Sequence, residues 1–238
     1  MDIIEADRKK IALFIDADNA PAAKIEFILT ELAKYGLVNI RRAYGNWTNS
    51  NLKKWTEQLH EFAIQPVQQF DLTKGKNATD IALVVDVMDV LYTRAVDVIC
   101  LVTSDCDFTP LVTRMLAEGK LVIGFGERKT PEALVNACSR FIYVDEPSAK
   151  ASTRVVNPKR DARLVTLLRN AIEATENDNG WAKLAAIGSH IANHTSFDPQ
   201  NYGYKKLSDL IKAIDLFETK KDGNQWLVRD KKKAKEDA

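Results

Sequence analysis

Six short strand-like runs, the first five each trailed by a segment whose apolar residues recur every three or four positions, constrain this 238-residue chain more than any other feature. IALFI at residues 11–15 reads as a buried strand, and beyond Pro21 the residues Ile25, Ile28, Leu29 and Leu32 fall at i, i+3, i+4 and i+7 of a helix that Gly36 ends. A strand over 37–44 follows, then a helix with Leu52, Trp55, Leu59 and Phe62 on one face, and a short strand over 64–68. Helix 81–93, strand 97–103, helix 108–118, strand 121–125, helix 131–138 and strand 141–144 continue the series. Strands alternating with helices over short connections predict an α/β domain: a Rossmann-like, mostly parallel sheet with helices on both faces.

Past this series the pattern breaks. EPSAKASTRVVNPKR, residues 146–160, loses the periodicity and gains Pro, Ser and basic residues, as a linker does. Three helical patterns then follow, with Leu164, Leu167, Leu168 and Ile172 in the first, GWAKLAAIGSHI in the second and KKLSDLIKAI in the third. FETKKDGNQWLV reads as a hairpin turning at Asp222-Gly223-Asn224, and three helices plus a hairpin predict a small winged helix. The expected organisation is an α/β domain over 1–146, a linker over 147–157, a winged-helix domain over 158–230 and a charged, solvated tail over 231–238.

Composition bounds the function classes. Hydrophobic residues make up 45% and charged residues 28%, no apolar run reaches the roughly 18 residues of a membrane span, and MDIIEADRKK lacks the apolar stretch of a secretory signal, so a cytoplasmic protein is expected. Cys100, Cys106 and Cys138 are an odd, widely spaced set with no C-x-x-C pair, which argues against a disulfide framework or a zinc knuckle. The net charge of +1 covers an asymmetry: residues 151–238 carry 16 Lys and Arg against 12 Asp and Glu, and the first 150 carry 18 against 21. An acidic front and a basic back suit a metal-using enzyme on a nucleic acid.

The acids stand at strand ends. In an open parallel sheet, ligands bind outside the carboxyl ends of the strands, where the winding reverses. Asp16 closes the first strand in FIDADNA, and VICLVTSDCDF puts Asp105 and Asp107 at the end of the fourth, which is expected beside the first. Asp80, in KGKNATDIALVVDVMDV, opens a helix that reads as apolar almost all the way round from Ile81 to Tyr92. It is either a favourable charge on the helix dipole, worth about 0.3–1 kcal/mol with Asn77 or Thr79 as cap, or a fourth member of the cluster with Lys74 and Lys76 placed for phosphate. Carboxylates held within a few Å repel one another, so such a cluster calls for a divalent cation, and hard oxygen ligands select Mg²⁺ or Mn²⁺ over zinc.

Around them, Thr103 and Ser104 offer hydroxyls to phosphate, as do Arg41 and Arg42 their guanidinium groups, although strand alternation sends the two arginines to opposite faces so that at most one lines the groove. Asp86 lies well round the helix from Asp80 and either reaches the site at a remove or pairs with a basic residue; the roles of Asp89 and Asp18 stay open.

FIDADNA, YGNW at 44–47, KGKNATDIAL and TSDCDF, in this order on a βα scaffold, resemble the NYN family of PIN-like ribonucleases, in its LabA-like bacterial branch, over about residues 11–145. The resemblance implies a metal-dependent endoribonuclease that cleaves single-stranded RNA to 5′-phosphate products. It implies that Asp16, Asp80, Asp105 and Asp107 bind Mg²⁺ or Mn²⁺ and that Asn19 orients a water or phosphate. SDCDF carries Cys106 where the family often has Gly, with the spacing of the acids kept. DNGWAKLAAIGSHI, FDPQNYGYKKLSDLI and the closing WLV resemble an OST-HTH or LOTUS domain over about 155–230, which implies RNA or a protein as partner; a homodimer is a further option. Tyr202 and Tyr204 either stack on bases or pack into the core.

Two alternatives compete with the nuclease. FIDADNA imitates the D-x-D of haloacid dehalogenase-like phosphatases, with Asp16 as nucleophile, but Asn19-Ala20 stands where Gly-Thr would be expected. The other alternative is a platform that binds RNA or protein and never cuts. His190 and His194 in HIANH have the spacing of a zinc pair but lack the intervening Glu, and read as a surface helix face.

Overall fold

The structure is a computed structural model that describes residues 8–70, 77–145 and 158–232, and the chain divides after Asp145 into two units. The expected linker over 147–157 lies outside the described residues.

The front unit begins with β1 (Lys10–Asp16), a 3₁₀ turn (Ala22–Lys24) and α1 (Ile25–Leu32), followed by β2 (Leu37–Gly45), α2 (Lys53–Glu61), β3 (Gln65–Gln68) and α3 (Ala78–Thr93). It continues through β4 (Val98–Val102), α4 (Thr109–Ala117), β5 (Leu121–Gly126), α5 (Glu132–Ala137) and β6 (Arg140–Tyr143). All five pairings are parallel, in the order β3-β2-β1-β4-β5-β6, so β1 and β4 lie side by side at the centre. This is the α/β architecture that the alternating sequence pattern predicts.

Side-chain alternation divides the core in two. Ile11, Leu13 and Ile15 of β1 pack with Ile25, Ile28 and Leu32 of α1 and with Trp55 and Leu59 of α2. Ala12 and Phe14 point the other way, against Leu83 and Val87 of α3 and Leu111, Val112 and Met115 of α4. β1 is thus buried on both faces, as a central parallel strand requires, and each such aliphatic side chain contributes about 1.5–3 kcal/mol.

The β1–β2 pairing shifts register between Ile11 and Ala12, so that Val38 and Ile40 flank one extra residue in β2. Val38 consequently packs with the α1–α2 core, and Ile40 and Tyr44 with the α3–α4 core. Gly36 follows α1 as expected, but the need for glycine comes from crowding: a Cβ there would lie 2.0 Å from the Lys9 carbonyl oxygen.

One expectation fails on α3. Leu83, Val87, Val90 and Leu91 are buried, but Ile81, Val85 and Tyr92 are exposed at 64%, 55% and 55%, so the helix shows a bare apolar stripe rather than being buried all round. It also starts earlier than predicted, which makes Asp80 its third residue.

In the second unit, α6 (Ala162–Glu173), α7 (Leu184–His194) and α8 (Leu207–Ile214) surround Leu168, Ile187, Ile191, Leu210 and Ile211, capped by Phe217 and Val228 of an antiparallel sheet. That sheet has three strands, in the order β7-β9-β8, where the sequence predicts two. β8 (Phe217–Asp222) and β9 (Gln225–Asp230) form the expected hairpin, with Gly223 at φ +55°. The extra strand, β7 (Ala182–Lys183), is too short for its alternation to register in the sequence. Tyr202 and Tyr204 are half-buried against this core, as the packing alternative holds. Among the described residues no helix is long and apolar enough to cross a membrane.

Candidate functional site

The chain winds from β1 outward to β2 and β3, then returns through α3 to β4 on the other side of β1, so the carboxyl ends of β1 and β4 border the reversal. Continuing the alternation that points Ala12 and Phe14 toward α3 and α4, Asp16 faces the same side and is fully buried. Its Oδ2 accepts hydrogen bonds from Asn19 Nδ2 at 2.9 Å and Thr103 Oγ1 at 2.9 Å, and its Oδ1 accepts from the Asn19 backbone N–H at 3.3 Å. A buried carboxylate requires this satisfaction.

Thr103, also buried, follows the last residue of β4. Its Oγ1 donates to Asp16 and accepts the Asp105 backbone N–H at 3.2 Å, so one hydroxyl joins the acid of the first strand to the loop carrying the others. Asp105 Oδ1 in turn accepts the Asp107 backbone N–H at 2.9 Å, capping the short turn Cys106–Phe108 that leads into α4. The Ser104 hydroxyl accepts the Glu127 backbone N–H at 2.9 Å. Gly126 makes this junction close: a Cβ there would lie 2.5 Å from the Thr103 carbonyl oxygen.

Electrostatics ties Asp80 to the same place. Burial raises the Asp16 carboxyl above the ordinary carboxylate range, although the hydrogen bonds from Asn19 and Thr103 lower it. The Asp80 carboxyl is pushed up to about 6 by burial first, and then by the negative charges of Asp16, Asp105, Asp18 and Asp107. Of the four acids singled out in the sequence, Asp16, Asp105 and Asp107 therefore act on the fourth, Asp80, and Asp18 joins them. The D-x-D spacing of FIDADNA is the signal that marks Asp18.

The most compact metal-ligand grouping among the described residues is Asp105, Cys106 and Asp107, whose ligand atoms lie within 4.8 Å of one another; Asp16 and Asp80 stand outside it. Among the described residues no salt bridge reaches Asp16, Asp80, Asp105 or Asp107. A divalent cation fits the acids gathered here, because their donors are hard carboxylate oxygens and the charges of Asp16, Asp105 and Asp107 add to burial in raising Asp80. Cys106 contributes a soft sulfur at the edge of the group, an addition the sequence reading passed over as a departure from Gly.

Beyond the acids the candidate residues scatter. Arg41 and Arg42 do point to opposite faces: Arg41 Nη1 donates to the Phe62 carbonyl at 2.8 Å beyond α2, and Arg42 Nη1 pairs with Asp86 of α3. Asp86 also accepts the Tyr44 hydroxyl, so of its two predicted roles it takes the basic partner. Burial, with Asp86 alongside, pushes the Tyr44 phenol far above its usual range. Arg42, Tyr44 and Asp86 border a groove whose other wall is the exposed stripe of α3 at Ile81 and Val85. Lys74 and Lys76, predicted to meet phosphate, lie outside the described residues.

Two family models agree with this architecture. A model of the NYN domain matches residues 10–145, and a model of the OST-HTH/LOTUS domain matches residues 157–225. Among solved structures, a Vibrio parahaemolyticus protein of unknown function is similar at 19% identity with a TM-score of 0.49, over 61% of this chain and 98% of that one. No curated protein matches the chain. Since the first match spans more than half of the chain and contains both the reversal of the sheet and every acid gathered there, the chain belongs to the NYN domain family of the PIN-like nuclease superfamily, with an OST-HTH/LOTUS domain behind it.

Proposed function

We propose that this protein is a metal-dependent endoribonuclease acting on single-stranded RNA. The observation that carries the reading is the hydrogen-bond chain that ties buried Asp16 at the end of β1 through Thr103 to the Asp105–Asp107 turn after β4, with Asp80 in the field of the same acids. Asp16, Asp80, Asp105 and Asp107 would hold one or two Mg²⁺ or Mn²⁺ ions. Such an ion, when bound, supplies the positive charge that activates water and steadies the leaving oxygen of an in-line displacement at phosphorus.

The chain's own residues do the positioning. The Asn19 amide and the Thr103 hydroxyl fix the Asp16 carboxylate, leaving its orientation independent of substrate. Thr103 also holds the Asp105 N–H, so the β1 and β4 acids keep a constant spacing. Thr103 thus acts here through the acids, its hydroxyl already engaged, while exposed Asn19 holds Asp16 through its amide nitrogen and keeps its side-chain carbonyl for a water. Arg42, anchored by Asp86 through one nitrogen, has donors left for a phosphate. No side chain serves as nucleophile.

The test is incubation of purified protein with a labelled unstructured RNA in Mn²⁺, beside an Asp105→Asn variant and a chelated control. Internal cleavage leaving 5′-phosphate ends, absent in the variant and the chelated sample, is expected. No cleavage by the parent, or equal cleavage by the variant, overturns the proposal.

A further inference from the structure

The outer face of the three-stranded sheet in the second unit carries an aromatic ring set among cations. The Trp181 ring is half-buried, with Lys220 Nζ 4.0 Å and Arg229 Cζ 4.7 Å from its centroid. Cross-strand register places these groups on one face: Glu218 pairs with Arg229, and Lys220 and Lys183 both pair with Leu227, so all five side chains point away from the Val228 side that enters the core. Arg229 is steadied by Glu218 Oε2, which accepts from Nη2 at 2.7 Å and Nε at 3.2 Å. Lys183 and Lys220 are exposed. On the hairpin's other side Lys212 Nζ sits 4.0 Å from the Trp226 centroid, so the wing bears an aromatic–cation pair on each face.

This pattern matches one ligand chemistry. A π-face that attracts an ammonium group is the same face on which a nucleobase stacks, and a lysine on a four-carbon stem can swing from the ring to the adjacent phosphate without rebuilding the site. Lys183, Lys220 and Arg229 against Glu218 and Asp222, which its pairing with Gln225 sets on the same face, leave the face net positive, complementary to a polyanion. We infer that this face of the wing binds single-stranded RNA, stacking an unpaired base on Trp181 with Lys183 and Lys220 on the flanking phosphates. Tyr202 and Tyr204 are half-buried against the helical core, whereas Trp181 stands among cations on the outer face of the sheet and takes the role for which the sequence had offered the tyrosines.

The inference extends the proposed RNA substrate to a second contact and is tested without cleavage. Affinity of the full chain for a fluorescein-labelled 20-nucleotide unstructured RNA is measured in chelator as salt is varied, for the parent, Trp181→Ala, Trp181→Phe and the Lys183→Glu/Lys220→Glu double variant. Trp181→Ala should weaken binding roughly five- to hundredfold, and Trp181→Phe, which keeps a stacking face, should recover most of that loss. The double variant, with two exposed side chains changed and hence little risk to folding, should flatten the slope of log affinity against log salt by about 1.4, at about 0.7 per single-strand phosphate contact. Parent-like affinity and slope in the double variant overturn the inference and leave the face to a protein partner; equal losses for Ala and Phe at Trp181 remove the stacking. RNA that is bound through Trp181 but never cut in Mn²⁺ sinks the nuclease reading alone, and RNA that is cut but bound without these residues sinks this one alone.

Discussion

Replacing Asp80 with Asn should stabilise the metal-free protein, and the size of the gain follows from the site. The carboxyl titrates near 6 instead of 3.8, and at about 1.36 kcal/mol per pH unit the ceiling is about 3 kcal/mol. Asp80 is only half-buried, and solvent screening reduces that to roughly 1–1.5 kcal/mol, or about 3–6 °C in the melting temperature of a domain this size.

The sign depends on pH. Below about 3.8 the group is protonated whether folded or not, so parent and variant should match. Between 3.8 and 6 the folded parent keeps a proton that the unfolded chain has lost, so its stability falls as pH rises; above 6 the full cost is present. Thermal unfolding in chelator at pH 4 and pH 7.5 reads both ends, and carboxyl-carbon NMR of Asp80 reads the titration itself. Adding Mn²⁺ should raise the parent's melting temperature more than the variant's. A variant no more stable than the parent at pH 7.5, or a gain that is the same at both pH values, would refute a shared field of acids.

Other expectations follow from single contacts. Asp16→Asn should abolish RNA cleavage with the far-UV circular dichroism unchanged; cleavage at the parent's rate would remove Asp16 from the mechanism. No phosphate or fluoride mimic should become trapped on Asp16, and small phosphate monoesters should not turn over; mass spectrometry of the intact chain checks the first and a chromogenic monoester the second. Gly126→Ala forces a methyl to within 2.5 Å of the Thr103 carbonyl and should cost about 1–3 kcal/mol, with cleavage falling further than stability alone explains, as chemical denaturation and turnover measured together would reveal. Tyr44→Phe leaves Asp86 with Arg42 as its remaining hydrogen-bond donor and should cost about 1–2 kcal/mol, and a double-mutant cycle with Asp86→Asn should return a coupling of at least 0.5 kcal/mol.

Much of the front unit was legible because strand and helix periods differ and the apolar residues obey them: every strand from β1 to β6 lies within two residues of its predicted position at either end. The acids were legible for a topological reason, since the end of a buried strand is where a carboxylate has no packing role. α3 was misread because hydrophobicity was taken as burial; Ile81, Val85 and Tyr92 are apolar and exposed, which composition does not reveal. Partners of polar groups were least visible. That the Thr103 hydroxyl donates to Asp16, and that Asp86 is held by Arg42 and Tyr44, are contacts between residues more than 40 positions apart, which no local pattern encodes. Nor does periodicity detect a two-residue strand, and Trp181 went unnoticed beside the more conspicuous tyrosine pair.

The extra residue in β2 opposite the Ile11–Ala12 step decides which side of the sheet the rest of that strand addresses. Upstream of it even-numbered residues such as Val38 look toward α1 and α2; downstream Ile40, Arg42 and Tyr44 look toward α3. Asn39 is the spare residue, and by absorbing it the strand lets Val38 and Ile40, two positions apart, serve opposite cores. Deleting Asn39 would restore plain alternation, with Ile40 still opposite Ala12 and Arg42 and Tyr44 still on the α3 side, whereas deleting Arg41, where no spare residue stands, would turn both toward α2. The bulge is thus where β2 can change length without carrying the Arg42 guanidinium away from Asp86.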